Sequence, residues 1–491
     1  MNKMKGLFLV FLMLVSATFL FAGGQQESAS EKEPVKLVWY IPGGSGFPYQ
    51  DGPEVYTELN KMLKEDLGVE VEFRATGQFG EYKETMPLAM AAGEKFDIVW
   101  TASWCNDFMK SANDGYYAGL DSLLEEHAPT IWKDTKEALA ATVVDGERRG
   151  VWSQQIAAKT SNFQVRDRMV ETYGWDIDSV KTPEDLESFF ADIKANEPDI
   201  IPMSTRFPLA YWMKPALGFV ELTILNKLLA VQIDDKDLKV FNVLDNEEYK
   251  SMIELSREWF AKGYIAVDGL TYNNDQWTNL KNTGKIGIDF HNTWIPGKDI
   301  VKQSYGENQL AKPFAGPSIM AGSGITSTLN AISSQSEHQV EAVKVLEYLW
   351  TNEKAYNLLT WGIEGKHYTL DDGFMTVNQD GGYFTNIPWV FGNTFISHLK
   401  TGENPEANTL IYDLNQNAVK SPLMGFVLDL EPIKNDVAAL TSIVEQYYTA
   451  VVGGYMGEDI FNDYQSALDE AGIDRVISGI QRQIDAWAAA K

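Results

Sequence analysis

Aromatic side chains follow several predicted strands of this chain, next to residues that can form paired hydrogen bonds. The sequence contains 14 tryptophans and 21 tyrosines among 491 residues. A flat ring stacks on the apolar C–H face of a sugar, while carboxylate, amide and guanidinium groups bind its hydroxyls in pairs. We therefore treat as candidate ligand-binding residues Phe47, Trp104, Arg166, Trp212, Asp289, Asn292, Trp294, Trp361 and Glu364.

The local sequence favours some of these candidates more than others. Trp104, Trp294 and Trp361 lie beside polar loop residues and not in a periodic apolar run, which favours accessible positions. For the other aromatic candidates, a place in the core is the more common role. Arg166 is equally consistent with a surface ion pair. Glu364 is of a type that often forms salt bridges at helix ends, although nearby glycines favour close approach of a ligand.

Motifs of catalysis and of nucleotide binding are missing from the sequence. It contains no GxxxxGK[ST] loop, no complete GxGxxG fingerprint, no GxSxG elbow and no HExxH pair. Residues 176–178 and 234–237 are acidic, but neither completes a calcium-binding loop. Cys105 is the sole cysteine, which excludes a disulfide within the chain and favours a buried filler. We therefore predict no catalytic residue, no metal site and no cofactor.

The first 34 residues read as an export leader and a tether. Lys3 and Lys5 precede the apolar residues 7–21 and the small residues 22–24, as in a secretory signal. We assign residues 1–24 to the signal and the polar residues 25–34 to a flexible tether. Gly24 stands where a lipid-bearing cysteine would be expected, so we expect a soluble periplasmic product. The net charge of −28 argues against nucleic-acid binding, and no later segment is long and apolar enough to span a membrane.

Strand and helix patterns alternate at the start of the mature chain. Apolar patterns predict strands at residues 35–41, 69–74 and 96–100, separated by helices at residues 55–63 and 81–92. This order predicts a parallel sheet covered by helices on both faces. Ligands of such sheets bind beyond the carboxyl ends of the strands.

Helices dominate the later sequence. Thr182 and Pro183 begin a predicted helix, and residues 284–290 form a predicted strand. Further helices are predicted at residues 247–262, 339–352, 433–452, 459–471 and 474–490. The fold class is therefore α/β with a helical C-terminal region.

The order of several sequence blocks resembles that of the bacterial extracellular solute-binding protein family 1. The blocks with most characteristic sequences are FDIV at 96–99, GYYAGL at 115–120, KTPEDL at 181–186 and GKIG at 284–287. Segments at 146–152, 173–177 and 331–342 also fit, and residues 361–368, 471–476 and 481–483 resemble a subgroup with an uncharacterised C-terminal domain. Residues 163–167 read FQVRD where family members often have Asn-Lys, which puts the ligand in question.

The resemblance implies a two-lobed, type II-like periplasmic-binding-protein fold whose lobes are joined by crossing segments. Residues 35–150 and about 315–365 would form lobe 1. Residues 151–314 and about 366–491 would form lobe 2, including the helical C-terminal extension. The implied function is capture of a small solute, a sugar or oligosaccharide, in a cleft that closes by hinge bending. The implied partner is the permease of an ABC importer, and we expect a monomer.

Two other functions remain open from the sequence. A secreted glycan-active enzyme could use a carboxylate pair such as Asp289 and Glu364. A glycan sensor or adhesion protein without a transport role would show the same aromatic residues. The order of the family blocks favours the binding protein over both.

Overall fold

The computed structural model describes residues 33–222, 225–298, 300–302 and 308–490. The predicted leader, residues 1–24, and nearly all of the predicted tether, residues 25–34, lie outside the described residues. Among the helices within these ranges, none is both long and apolar enough to cross a bilayer.

A five-stranded sheet forms the centre of lobe 1. Its strands lie in the spatial order Val69–Gln78, Val35–Gly43, Ile98–Thr101, Leu329–Ile332 and Val151–Trp152. The first three are parallel and the last two are antiparallel to their neighbours. Every residue of Ile98–Thr101 is buried, as expected for a central strand covered on both faces. The predicted β-α-β-α-β order is therefore confirmed.

Seven helices accompany this sheet, and the first two fill the predicted connections between its parallel strands. The N-terminus of helix Pro129–Thr135 is capped by a residue far away in the sequence. The Glu347 carboxylate accepts hydrogen bonds from the Thr130 and Ile131 amides at 2.9 and 3.0 Å. An anion is favourable at this positive end of a helix. The seven helices are Gly52–Leu67, Phe79–Ala91, Phe108–Asn113, Asp121–His127, Pro129–Thr135, Gln339–Thr351 and Glu353–Trp361.

A second five-stranded sheet forms the centre of lobe 2. Its order is Ile300–Lys302, Asn308–Pro313, Asn162–Arg166, Ile286–His291 and Ile201–Met203. Its pairs are antiparallel except for the last, which is parallel. The predicted helix after Thr182 starts as a 3-10 turn, Pro183–Leu186, with a capping box between Thr182 and Asp185. The main helices are Asp167–Tyr173, Glu187–Asn196, Leu209–Met213, Glu247–Ala261 and Asn274–Asn282.

The C-terminal helices share a core with lobe 2. Helices Lys434–Val452, Glu458–Ala471 and Ile473–Ala489 confirm the predicted ones within two residues. They pack on a three-stranded sheet and on helix Glu247–Ala261, and the Tyr249 and Tyr448 hydroxyls lie 3.0 Å apart inside this core. The sheet strands are Phe219–Glu221, Leu229–Gln232 and Val240–Asn242. The C-terminal region is thus an integral part of lobe 2.

Three chain segments cross between the two lobes. Residues 153–161 leave the sheet of lobe 1 and enter that of lobe 2, residues 314–328 return, and residues 392–422 lead from lobe 1 to the C-terminal part of lobe 2. Within them, Ala158–Lys159 pairs antiparallel with Ile319–Met320, which pairs in parallel with Val419–Lys420. The Asn415 side chain, on helix Ala407–Asn417, accepts from the Ala157 and Ala158 amides and donates to the Gln155 carbonyl. The Asn415 side chain thus supplies the hydrogen bonds that a neighbouring strand would otherwise give to this crossing segment.

Residues 366–391 contact lobe 1, in contrast to the predicted boundary at residue 366. His367 lies 3.2 Å from Asp51, and the Tyr383 hydroxyl donates to the Leu359 carbonyl. Ile387, Val390 and Phe391 join the core of lobe 1. The hairpin Tyr368–Asp371 and Phe374–Val377 turns its apolar side onto the end of helix Glu353–Trp361, which holds the segment there.

We predict that Asn415→Ala lowers the free energy of unfolding by about 2 kcal/mol or more, because it leaves buried backbone groups without partners. Urea unfolding followed by tryptophan fluorescence measures the change. Asn417→Ala, at an exposed position of the same helix, is the matched control and should stay within about 0.5 kcal/mol of the unmodified protein. Equal effects of the two substitutions would contradict this role of Asn415.

Candidate functional site

Four aromatic residues form a continuous cluster at the carboxyl ends of the lobe 1 strands. This first aromatic cluster consists of Phe79, Trp100, Trp104 and Trp389. Phe79 stacks on Trp389 with centroids 5.3 Å apart, and lies 5.2 Å from Trp104. The predicted residue Trp104 is 46% exposed, so a large part of its ring is accessible to a ligand.

Hydrogen bonds fix the orientation of these rings. The Trp104 indole N–H donates to the Ser327 carbonyl at 2.8 Å, and the buried Trp100 indole donates to Thr328 Oγ1 at 2.9 Å. The Thr328 hydroxyl in turn donates to the Trp389 carbonyl at 2.9 Å. Because the polar edges are satisfied from behind, the rings are held as a preformed apolar surface.

Cys105 lies beneath this cluster. Its thiol is buried and lies 3.6 Å from the Phe79 carbonyl. Burial raises the pKa of Cys105 to about 12, so the thiol stays protonated at neutral pH. The predicted role as a buried filler is confirmed.

A second aromatic cluster lies on lobe 2 and consists of Phe207, Tyr211, Trp212 and His291. Trp212 is half-buried, with ring centroids 5.2 Å from Phe207, 5.1 Å from Tyr211 and 5.4 Å from His291. The Ser161 hydroxyl donates to the Trp212 carbonyl at 2.7 Å, and Asn162 donates to the His291 carbonyl at 3.1 Å. The predicted residue Trp212 is thus the centre of a larger aromatic group.

Behind His291, a compact polar network occupies one face of the lobe 2 sheet. Lys281 Nζ lies 2.8 Å from Asp289 Oδ2, 3.1 Å from Gln164 Oε1 and 3.1 Å from His291 Nε2. Burial opposes ionisation of Asp289, but the positive charge of Lys281 and the hydrogen bonds from Lys281 and His291 outweigh it and hold its pKa well below the usual range. Asp289 is therefore an ionised partner of Lys281.

The protonation of His291 follows from the same network. Burial and the positive charge of Lys281 lower the pKa of His291, so its imidazole is neutral at neutral pH. Nε2 of His291 lies 3.1 Å from Lys281 Nζ and 3.2 Å from Asp289 Oδ2, so this nitrogen is engaged inside the network. The network thereby holds the imidazole ring in place beside Trp212.

Each cluster is anchored to a different crossing segment, and these two segments pair with each other through Ala158–Lys159 and Ile319–Met320. Ser327 and Thr328, which hold the first cluster, are the last residues before the chain re-enters the sheet of lobe 1. Ser161, which holds the second cluster, directly precedes strand Asn162–Arg166 of lobe 2. Rotation about the crossing segments would therefore move one aromatic surface relative to the other.

Two predicted site residues are buried in the interior. Arg166 is 2% exposed and donates to the Ile286 carbonyl at 2.7 Å, at the end of its strand that is farther from the crossing segments. Trp361 is 2% exposed, packs with Tyr368 and Met375, and donates to Ser397 Oγ at 2.9 Å. The accessible positions predicted for them are therefore wrong.

The remaining candidates lie around the clusters or away from them. Asn292 and Trp294 are half-buried in the loop that follows His291, and the Asn292 carbonyl accepts from the Thr160 amide. Phe47 is half-buried with its ring edge-on to Tyr49. Glu364 is exposed in the turn after helix Glu353–Trp361. Sequence reasoning missed Phe79, Trp389, Phe207 and His291.

No group of three potential metal-ligating side chains occurs within the described part of the chain. The acidic residues 176–178 instead take part in ordinary surface contacts, since Asp178 pairs with Lys312 at 2.8 Å. The carboxylates of Asp289 and Glu364 belong to different lobes, and Asp289 is engaged by Lys281 and His291.

The family comparison agrees with this architecture. The model described as bacterial extracellular solute-binding protein matches residues 50–356. The chain belongs to this family. Residues 422–489 match a second model, described as a domain of unknown function, DUF3502, which corresponds to the C-terminal helices of lobe 2.

Individual relatives are distant but cover most of the chain. A carbohydrate ABC transporter substrate-binding protein of Streptococcus pneumoniae is 23% identical over 88% of this chain and 87% of its own length. The polygalacturonan/rhamnogalacturonan-binding protein YtcQ of Bacillus subtilis is 20% identical over 75% of this chain and 74% of its own. The crystal structure of the N-glycan transport solute binding protein NgtS from S. pneumoniae has a TM-score of 0.80 at 20% identity, covering 92% of this chain and 98% of that one. The expected solute-binding-protein fold is thus confirmed.

We predict that Lys281→Met lowers the free energy of unfolding by about 3 kcal/mol, since it leaves the Asp289 carboxylate buried without its main partner. The double variant K281M/D289N should recover a large part of this loss, because it removes the unpaired charge as well. Chemical denaturation at pH 7 compares the two variants. A double variant that is as unstable as K281M would show that the unpaired Asp289 charge does not cause the loss of stability.

Proposed function

We propose that this protein captures an oligosaccharide between the two aromatic clusters, outside the cytoplasm, and delivers it to an ABC importer. The observation that carries the proposal is that the two clusters are anchored, at the border of each lobe, to two crossing segments that pair with each other. A ligand that contacts both surfaces would bridge the lobes. Membership of the solute-binding family and the carbohydrate ligands named for its relatives support the same function.

The chemistry of the two surfaces suits a carbohydrate. Phe79, Trp104 and Trp389 offer an apolar platform of the kind that stacks on a sugar ring. The second cluster adds the Trp212 ring, with the rings of Phe207, Tyr211 and His291 packed beside it. A polar but uncharged ligand fits here, because Asp289 is already paired with Lys281 and does not need a charged partner.

The crossing segments suit closure by hinge bending. The paired strands within them are two residues long, so few hydrogen bonds resist a change in the angle between the lobes. A ligand that binds the closed form more tightly than the open form shifts the population towards it. The closed lobes would then present the surface that a permease recognises.

The remaining parts of the proposal follow from the sequence and the family. Residues 1–24 direct export, the mature chain is a soluble periplasmic monomer, and a permease is its membrane partner. It performs no catalysis, and Asp289 and Glu364 do not serve as an acid–base pair. Incubation of bound oligosaccharides with the purified protein should release no reducing ends above a protein-free blank.

The proposal is tested first by a thermal-shift screen of the chain from Gly24 onward. The panel contains mannose- and N-acetylglucosamine-based oligosaccharides, pectic fragments and fructo-oligosaccharides, with amino acids, peptides and polyamines as contrast. At 100 times its dissociation constant, a ligand specific for the folded state adds about 2.7 kcal/mol, which raises the melting temperature by a few degrees. Hits confined to the non-carbohydrate compounds would contradict an oligosaccharide ligand.

The oligosaccharide that shifts the melting temperature most then tests the first cluster. We expect Trp104→Ala to weaken its binding by about tenfold or more, because a stacking surface is lost. Tyr412→Ala is the matched control, since Tyr412 is 49% exposed and lies outside both clusters. Isothermal titration calorimetry should give the same affinity for Y412A as for the unmodified protein. An unchanged affinity in W104A would remove Trp104 from the site.

Closure predicts a measurable change of shape. Small-angle X-ray scattering should give a smaller radius of gyration when the chain is saturated with a confirmed oligosaccharide than when it is free. At a ligand concentration near the dissociation constant of the unmodified protein, W104A, whose affinity is about tenfold lower, is mostly unbound and should show much less of this change. An identical radius for free and saturated protein would contradict hinge closure.

A further inference from the structure

The C-terminal helical region contacts the loop that precedes the second aromatic cluster through one hydrogen bond. Tyr455 lies in the turn between helices Lys434–Val452 and Glu458–Ala471, and its hydroxyl is 2.6 Å from Thr205 Oγ1. Thr205 is 3% exposed. It follows strand Ile201–Met203 directly, in the loop formed by residues 204–207. This contact joins the region of unassigned function to the edge of the candidate site.

The close approach of Tyr455 is built into the surrounding backbone. A Cβ atom at Gly269 would lie 2.2 Å from the Tyr455 hydroxyl, so a side chain there would displace it. Gly454 has a φ of +82° and packs so closely on the backbone of Ser256 that a Cβ atom would clash at 2.4 Å. The Tyr455 ring also contacts Phe260, with centroids 5.1 Å apart. Two glycines thus permit a fixed position of the hydroxyl.

The 204–207 loop carries residues of the second cluster. Its first residue is held by the sheet, because the Ser204 amide donates to the Ile288 carbonyl at 3.0 Å. Arg206 is exposed, and Phe207 packs edge-on against Trp212 at 5.2 Å. The Thr205 side chain therefore lies between an anchored residue and the ring that supports Trp212.

From this arrangement we infer that Tyr455 is a positioning residue through which the C-terminal helices set the affinity of the second cluster for its ligand. The inference rests on the proposed function for the identity of the ligand. Without the Tyr455 hydroxyl, the loop keeps its attachment at Ser204 but loses the side-chain contact at Thr205. The loosened loop then allows Phe207 and Trp212 to adopt orientations in which the two rings no longer form one surface.

Tyr455→Phe tests the inference because it removes one oxygen atom and leaves the ring in place. Binding of the oligosaccharide found in the screen should weaken by about five- to tenfold, because the order that this hydrogen bond gives the loop must then be restored on binding. Thr205→Val removes the other partner and should have the same effect. The double variant T205V/Y455F should bind no more weakly than either single variant, because both remove the same bond.

Tyr464→Phe is the matched control. Tyr464 is buried in the same helical region and stacks on Tyr447, but its hydroxyl has no hydrogen-bond partner among the described residues. The affinity of Y464F for the oligosaccharide should stay within twofold of that of the unmodified protein. Hydrogen exchange gives a readout that needs no ligand: amides of residues 204–212 should exchange faster in Y455F and T205V, and at the normal rate in Y464F.

The outcomes separate this inference from the proposed function. If the unmodified chain binds an oligosaccharide but Y455F and T205V leave both affinity and exchange unchanged, Tyr455 has no positioning role. Equal weakening by Y464F would also overturn it, because the effect would then be a general loosening of the helices. If the unmodified chain binds no member of the panel, the proposed function fails, and the exchange rates of residues 204–212 alone decide whether Tyr455 positions the loop.

Discussion

The architecture depends on how the backbone is satisfied where the two lobes separate. Each crossing segment leaves one sheet before it joins the next, so its amides and carbonyls lack long strand partners over several residues. Unpaired buried backbone groups are costly. Some of these backbone groups pair in two-residue strands, and the Asn415 side chain forms hydrogen bonds with three more. A junction of this kind is defined in position but resists bending weakly, which is the combination that two moving lobes require.

The crossing segments also hold each aromatic cluster to its own lobe. Ser327 and Thr328 bond Trp104, Trp100 and Trp389 at one end, and Ser161 bonds Trp212 at the other. These bonds lie at the borders of the lobes, outside the two-residue strand pairs. Bending would therefore carry each cluster as a unit and would not disturb its internal stacking. Preformed surfaces of this type bind with less loss of side-chain entropy than surfaces that order on contact.

Sequence patterns predicted the elements better than they predicted the site, and particular residues show why. The fully buried strand Ile98–Thr101 and the amphipathic C-terminal helices are encoded locally, by residues a few positions apart. Trp361 looked accessible because polar residues follow it, but a hairpin formed by later residues covers its ring. Arg166 looked like a ligand contact, whereas its guanidinium group donates to the carbonyls of Ile286 and Lys281, more than 100 residues later in the sequence. Trp389 carried no local signal, because its partners Phe79 and Trp104 are 310 and 285 residues away in sequence.

The helical C-terminal region gives lobe 2 a second core beside its main sheet. Helix Glu247–Ala261 takes part in both cores, with Ile253 on the side of the C-terminal helices and Trp259 on the side of the sheet. The region therefore could not be removed without exposing one face of that helix. Its turn at Tyr455 then touches the loop that supports Trp212, so the packing that stabilises lobe 2 also constrains the surface offered to a ligand. Tyr455 thus couples the stability of lobe 2 to ligand recognition. Without it, the sheet alone would support the 204–207 loop, and only from one side.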